Sequence, residues 1–289
     1  MNLRSIVSNF VTSKKPVKQG EEARHARRAF RRRLSLSNLI FIVTLFFLFL
    51  PLVVLVIYSF NESTSMTWTK FSFRWYERLL NSRELWRAFR NSIFVALTSA
   101  ISATIIGTIG AIGINWYKFK LRSYVQTISF LPMILPEIII GVSLAIFFAG
   151  LGIPLGLFTI YIAHTTFNIP FVFLMVMARL DEFDFSIIEA AADLGANEKE
   201  TLFKITLPIC MPGILSGLLT AITLSLEDFV ITFFVAGPGS STLPIFIYSA
   251  ITRRGGVTPL ISALSVVMIL GTVILSVALR KFLKHIAAK

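Results

Sequence analysis

The sequence predicts an all-α, polytopic transmembrane bundle of six helices, and three observations predict it. Hydrophobic residues make up 55% of the 289 and charged residues only 15%, with a mean hydropathy of +0.76. A soluble domain carries about 25% charge. Charge-free runs of 22 and 27 residues, Leu39–Phe60 and Asn91–Tyr117, each meet the length of roughly 20 apolar residues that a helix needs to cross a bilayer. Lysine and arginine, finally, are shared unequally between the segments joining such runs. This composition excludes a water-soluble enzyme and a disordered chain. The single cysteine, Cys210, rules out an internal disulfide.

The elements follow in order. Residues 1–38 form a basic tail with ten of the 28 Lys and Arg, six of them between Arg24 and Arg33. Such a run reads as a solvated segment lying against anionic lipid headgroups rather than as a nucleic-acid site. The first span, 39–60, has no small-residue cleavage pattern after it and reads as a retained signal-anchor. The second is 91–117. From Ser123 to Ala178 the only charge is Glu137, and the glycine-rich stretch Gly150–Gly156 divides this run into spans at 124–150 and 157–178. Pro132, Pro136 and Pro170 are expected to kink or locally unwind them. A fifth span covers 209–236, with Glu227 and Asp228 inside it, and a sixth covers 257–279. The transmembrane domain is thus 39–283, followed by a tail at 284–289.

With the N-terminus inside, the inner segments carry 20 Lys and Arg and the outer segments 7, with Arg90 at a boundary. Both termini are therefore expected in the cytoplasm. Segment 61–88 goes against the trend, with five basic residues outside. Its Trp75, Tyr76, Leu79, Trp86 and Phe89 suggest an amphipathic stretch at the outer interface. Small-residue stripes, Ala103–Gly107–Ala111 and Gly213–Gly217–Ala221, suit close helix packing. His164 and Asn168 share a helix face and read as hydrogen-bonding groups between helices.

Residues 179–208 are the one soluble-like piece, with seven acidic and three basic residues. Ser186 and Glu189 have capping-box spacing, Gly195 is a stop, and Asn197 with Glu200 repeats the box before Pro208. A helix–turn–helix presenting Ala190 and Ala191 to solvent is expected. The spacing Glu189-Ala190-Ala191-x3-Gly195-x9-Ile205-x-Leu207-Pro208 resembles the EAA signature of ATP-binding cassette importer permeases. Leu135-Pro-Glu-Ile-Ile, Phe171 after Pro170, Leu224-Ser-Leu-Glu-Asp and Phe234-Val-x-Gly-Pro238 are similar to the spermidine/putrescine branch of that family. The likeness runs from about Trp75 to Leu283.

The resemblance implies the type I importer permease fold, in a bacterial inner (plasma) membrane. Helices two to six would form its core, with the first at the periphery. Ser186, Glu189, Ala190, Ala191, Asp193, Leu194 and Gly195 would form the coupling helix and turn that dock on an ATPase subunit. Implied partners are two ATPase copies, a second and paralogous permease, and an extracellular substrate-binding protein, beside membrane lipid. ATP and Mg would sit on the ATPases. No Gly-x4-Gly-Lys-Ser/Thr occurs here, so this chain has no phosphate cradle of that kind. Nor does it carry a metal-ligand spacing or a nucleophile–base constellation.

Three acids inside spans need an explanation, since a charge at a helix centre costs at least about 2.5–3.5 kcal/mol. Glu137, Glu227 and Asp228 fit protonated carboxyls bonded between helices, pairing with a partner's cation, or a wet path for a polycation. Asp228 is the favoured path-lining acid, with Phe229, Phe233 and Phe234 as cation–π candidates beside it. Polyamine translocation driven by a separate ATPase is the expected function. Another substrate of related importers (ferric iron, thiamine, a phosphonate) and an ATP-independent secondary transporter are the alternatives.

Overall fold

A computed structural model describes residues 17–287, apart from 65–66, 118, 183, 185 and 255–257. Residues 1–16 of the basic tail, Lys118 and Lys289, all counted in the charge asymmetry, lie outside the described residues. The helices are α1 (Val17–Tyr58), α2 (Arg74–Leu80), α3 (Arg83–Trp116), α4 (Arg122–Ser129), α5 (Leu131–Ile134), α6 (Glu137–Gly150), α7 (Leu157–Asp181), α8 (Ser186–Asp193) and α9 (Glu198–Thr201). A π-helical turn (Leu202–Thr206) leads into α10 (Leu207–Glu227), α11 (Val230–Val235), α12 (Leu243–Arg254) and α13 (Pro259–Ala287). Among the described residues the only extended pairing is an isolated bridge, Asn61–Phe71.

Four helical stretches are long and apolar enough to cross a membrane: Leu36–Tyr58, Arg83–Trp116, Leu157–Asp181 and Glu198–Glu227. A fifth arises if Arg122–Ile134 and Glu137–Gly150, bent by 104°, count as one span. The expected six is not reached among the described residues, of which Pro259–Ile274 forms a shorter apolar helical stretch at the start of α13. The third span differs most from expectation. It breaks outright, because Leu135 is extended (ψ 138°) before Pro136, and a residue preceding proline is pushed out of the α region. Pro170, by contrast, stays within an unbroken α7. The second span starts at Arg83 rather than Asn91, so half of the expected interfacial stretch is its first two turns.

The chain divides into two units, 1–75 with 262–289, and 76–261. In the first, the Asn61 side chain donates to Thr67 O (2.9 Å) and accepts from Thr69 N (3.0 Å), while Trp75 Nε1 donates to Asn61 O (2.7 Å). Phe60, Phe71 and Phe73 stack around that turn.

The second unit is built on α3, α7 and α10. Ala100, Ala103, Ala111, Val172, Phe173, Val176 and Ala221 form its buried core. Both small-residue stripes face α7. A Cβ at Gly107 would lie 3.0 Å from Val172 Cβ, and one at Gly217 would lie 3.1 Å from Val172 Cα, so Val172 is clasped between two glycines. Backbones this close gain dispersion contacts, the main attraction between helices in lipid. At one end of the unit, Asn91 Nδ2 donates to Ser241 O (3.0 Å), Leu243 N to Ser92 Oγ (2.8 Å) and Thr159 Oγ1 to Val235 O (2.7 Å). Gly237 passes so near the Leu155 carbonyl that no Cβ would fit.

Candidate functional site

The acidic residues gather at two helix breaks. Glu137 is not mid-helix, as a continuous third span would place it. It is the first residue of α6, directly after Pro136, where the helix N-terminus favours negative charge. Glu227 is the last residue of α10. Asp228 then turns extended (φ −63°, ψ 123°), so α10 and α11 are separate helices and the expected continuous fifth helix to Ala236 is corrected. The two breaks adjoin: a Cβ at Gly141 of α6 would lie 2.8 Å from Phe234 Cδ2 and 3.3 Å from Ile231 Cα of α11. Glu137 lies within the electrostatic reach of both Asp228 and Glu227.

Asp228 is buried, and its carboxylate caps α11. It accepts from Thr232 N (2.8 Å), Thr232 Oγ1 (2.6 Å) and Ile231 N (3.2 Å). His164 Nε2 of α7 lies 3.1 Å from Asp228 Oδ2, and its Nδ1 lies 2.6 Å from Ser225 Oγ of α10. Ser99 Oγ of α3 reaches Ser225 Oγ at 3.4 Å. His164 Nε2 also lies 2.8 Å from Thr232 Oγ1, so with a proton on Nε2 the ring donates toward Asp228 and Thr232 while Nδ1 accepts from the Ser225 hydroxyl. The sequence places His164 among interhelical hydrogen-bonding groups without showing that Asp228 is its partner. Asn168, one turn further along α7, donates to Ala221 O (3.3 Å). His164 and Asn168 thus both bond across helices, as their shared face suggested.

Glu137 and Glu227 are exposed in this chain, unlike Asp228. Phe229 lies 5.6 Å from Phe233 and 4.9 Å from Tyr248 of α12, centroid to centroid, and Phe233 lies 5.5 Å from Phe234. The break therefore carries a cluster of aromatic rings directly after Glu227 and Asp228. Tyr248 was not singled out from sequence, because only the fold brings α12 to the break.

At the opposite end of α7, the loop 179–208 has a defined shape. Helix α8 starts at Ser186 as expected, but the capping carboxylate is Asp184, which accepts from Ser186 N at 3.0 Å. That bond and the Ser186 side chain hold the Asp184 carboxyl below its ordinary range. Gly195 ends the helix at φ +85°. Gly195 N donates to Ala192 O and Ala196 N to Ala191 O, both at 2.9 Å, which is the paired bonding of a Schellman turn. Asn197 and Glu200 close a reciprocal box (Glu200 N to Asn197 Oδ1 2.9 Å, Asn197 N to Glu200 Oε2 3.3 Å). Lys204 Nζ donates to Glu200 Oε1 at 2.8 Å, and with the Asn197 amide it lowers the Glu200 carboxyl.

Pro208, second in α10, cannot sit under the Lys204 carbonyl in α register, and the wider π turn before it accommodates the ring. Ser186, Glu189, Ala190, Asp193, Leu194 and Gly195 are exposed, Leu194 at 90%. Ala191 is buried at 8%, so of the two alanines expected on the surface only Ala190 is there. Ala191 also supplies the carbonyl of the Schellman turn and faces the fold, not solvent.

Several apolar spans, a core clasped through glycines, two spans broken beside carboxylates and a rigid helical loop at one end together make a membrane permease. The chain belongs to the family described as binding-protein-dependent transport system inner membrane component, matched over residues 103–289. It is 39% identical over 248 residues to the Spermidine/putrescine transport system permease protein PotC of Haemophilus influenzae, covering 86% of this chain and 94% of that protein. It is 41% identical over 243 residues to the Putrescine transport system permease protein PotI of Escherichia coli, covering 78% and 83%. Among solved structures it superposes on a chain of a bacterial ABC transporter that imports the acidic polysaccharide alginate (TM-score 0.72, 17% identity, 88% and 98% covered). A second match is to that transporter in complex with an alginate pentasaccharide-bound periplasmic protein (TM-score 0.68, 19% identity, 88% and 94% covered). The chain is a multi-pass inner-membrane permease with the fold of ABC importers.

Proposed function

We propose that this permease translocates polyamines, spermidine or putrescine, as one half of a pair driven by a separate ATPase. The observation that carries the substrate is that Glu137 and Glu227 stand at helix ends on two adjoining breaks, within electrostatic reach of each other, and that Phe229, Phe233 and Tyr248 cluster after the second break. Protonated amines gain Coulomb attraction from carboxylates and about 0.5–2 kcal/mol from each desolvated aromatic face. Asp228 and Phe234 stand behind this surface and set its shape. Relatives 39% and 41% identical bear spermidine/putrescine and putrescine in their names, which supports the same class here.

Ser186 to Leu194 form the coupling helix, and Gly195 makes its turn against the ATPase. The assembly has two ATPase copies holding ATP and Mg, a paralogous second permease, and an extracellular substrate-binding protein. Both termini and the loop 179–208 face the cytoplasm.

The test is uptake of radiolabelled spermidine into proteoliposomes containing the four membrane-associated subunits, with binding protein outside the permease pair and ATP at the ATPases. Uptake is expected only with ATP and to be competed by putrescine. Uptake that persists without ATP transfers the chain to secondary transport. Competition by thiamine or ferric iron instead of amines overturns the substrate.

A further inference from the structure

At the first turns of α3, at the end of the unit away from the coupling loop, a cleft of about 630 Å³ is lined by Leu80, Asn81, Arg83, Trp86, Arg87 and Arg90. Three guanidiniums at this spacing (i, i+4, i+7) lie on one helix face. None of them has an ion pair or hydrogen-bond partner among the described residues. They also stand at the positive end of a 34-residue helix, capped by Ser82, where cations are disfavoured. Arg87 is packed over Gly239 (φ +75°), where a Cβ would come within 2.9 Å of its Nη2. The arrangement concentrates positive charge on one concave face.

The geometry points to an anionic phospholipid as the occupant, with its phosphate among Arg83, Arg87 and Arg90 and its acyl chains along α3. The decisive feature is what continues below the cleft. At about 100° per residue, Arg83, Arg87, Arg90, Phe94, Leu97 and Ile101 fall within about 40° of one line. Phe94, Leu97 and Ile101 are all exposed on that line, directly after the last arginine. A soluble anion or an acidic protein surface needs the guanidiniums but not this apolar strip. A lipid needs both, in this order. Trp86, exposed, with its Nε1 donating to Leu80 O at 2.9 Å, sits where interfacial tryptophans sit, at headgroup level. The site also gives a purpose to two of the five basic residues in 61–88, Arg83 and Arg87, that oppose the charge bias of the rest of the chain.

The experiment is native mass spectrometry of the full-length chain in detergent, titrated with dioleoyl phosphatidylglycerol and, separately, dioleoyl phosphatidylcholine. Phosphatidylglycerol is expected to bind more tightly. Each of Arg83→Gln, Arg87→Gln and Arg90→Gln should weaken it about fivefold, and the triple variant should bring it close to phosphatidylcholine. The triple arginine-to-lysine variant should keep most of the preference, which separates lost charge from lost fold. The basic tail contributes equally to every variant, so the difference isolates the cleft.

Equal binding of the two lipids, or a triple glutamine variant indistinguishable from the parent, overturns the proposal. So does competition by inorganic phosphate or equal binding of dihexanoyl phosphatidylglycerol, either of which makes the cleft a soluble-anion site. If the glutamine variants lose only their docking to a substrate-binding protein, the cleft is a protein interface and the proposal fails.

Discussion

The imidazole of His164 and the carboxylate of Asp228 face each other at 3.1 Å in the interior of the bundle, their side chains only 2% and 5% exposed. This pair holds the break between α10 and α11 in place, because Asp228 caps α11 while His164 ties it to α7 and to Ser225. Asp228→Ala removes a cap and one of the partners of His164, which keeps Ser225 and Thr232. It is expected to lower stability by about 2 kcal/mol, whereas Asp228→Asn, which still accepts the amide bonds, should cost less. His164→Ala should cost about 1–2 kcal/mol, the range for interhelical bonds in membranes. Unfolding in mixed detergent measures both, and the double variant should fall short of the sum. Strict additivity would mean that the two side chains do not act together.

Glu137 and Glu227 should behave differently, since both are exposed at their helix ends. Glu137→Gln and Glu227→Gln are expected to leave the unfolding midpoint in place. Each should reduce spermidine uptake about tenfold, equivalent to about 1.4 kcal/mol. Initial uptake rates at subsaturating spermidine check this. Unchanged rates in both variants would remove the carboxylates from the path.

Packing makes a third prediction. Gly217→Val pushes its side chain into Val172, whose Cα already lies 3.1 Å from an added Cβ. A loss of about 1–3 kcal/mol is expected from overpacking. Gly113→Ala on α3 meets nothing within 4 Å and is the matched control. It should gain about 0.5–1 kcal/mol from helix propensity. If both substitutions destabilise alike, backbone approach is not what the glycines provide.

The loop carries a pH dependence of known sign. The Asp184 and Glu200 carboxyls both lie below their ordinary values of 3.8 and 4.5 in the folded loop. Their contribution is therefore complete above those values and is lost as pH falls through the lowered ones. Exchange protection of the Ser186 and Asn197 amides, corrected for intrinsic rates, should be flat from neutral pH to about 5 and decline below that. Glu200→Gln should flatten the decline at Asn197. Protection that weakens on going upward in pH would contradict the assignment.

Much of this architecture is readable from local pattern, and what is not comes from distant partners. Asn197 with Glu200, and Gly195 as helix stop, are local devices, so the sequence predicts them correctly. The two glycine stripes are likewise visible as periodic small residues, although α7 as their shared neighbour is not. The break at Asp228 has no proline or glycine to announce it. It depends on His164, 64 residues away, and on Thr232 accepting the role of first-turn partner. Ser186 satisfies a capping-box spacing that Asp184, two residues upstream, pre-empts with a charged acceptor. Ala191 looks surface-exposed in a polar loop until the Schellman turn folds its side against the protein.

The last prediction concerns how force would pass through that turn. Gly195 sits at φ +85°, a conformation that costs an ordinary L-residue roughly 1–2 kcal/mol. Both Schellman bonds that join α8 to the following segment depend on it. Gly195→Val should melt the turn and detach the orientation of α8 from α9, while the spans, held by the α3–α7–α10 core, stay folded. Gly195→Asn, which tolerates the left-handed region better, should be milder. In the reconstituted complex the expected result is ATP hydrolysis that continues while spermidine uptake falls, more for Val than for Asn. A Gly195→Val complex that transports at the parental rate would show that the rigidity of this turn is not what connects the ATPase to the permease.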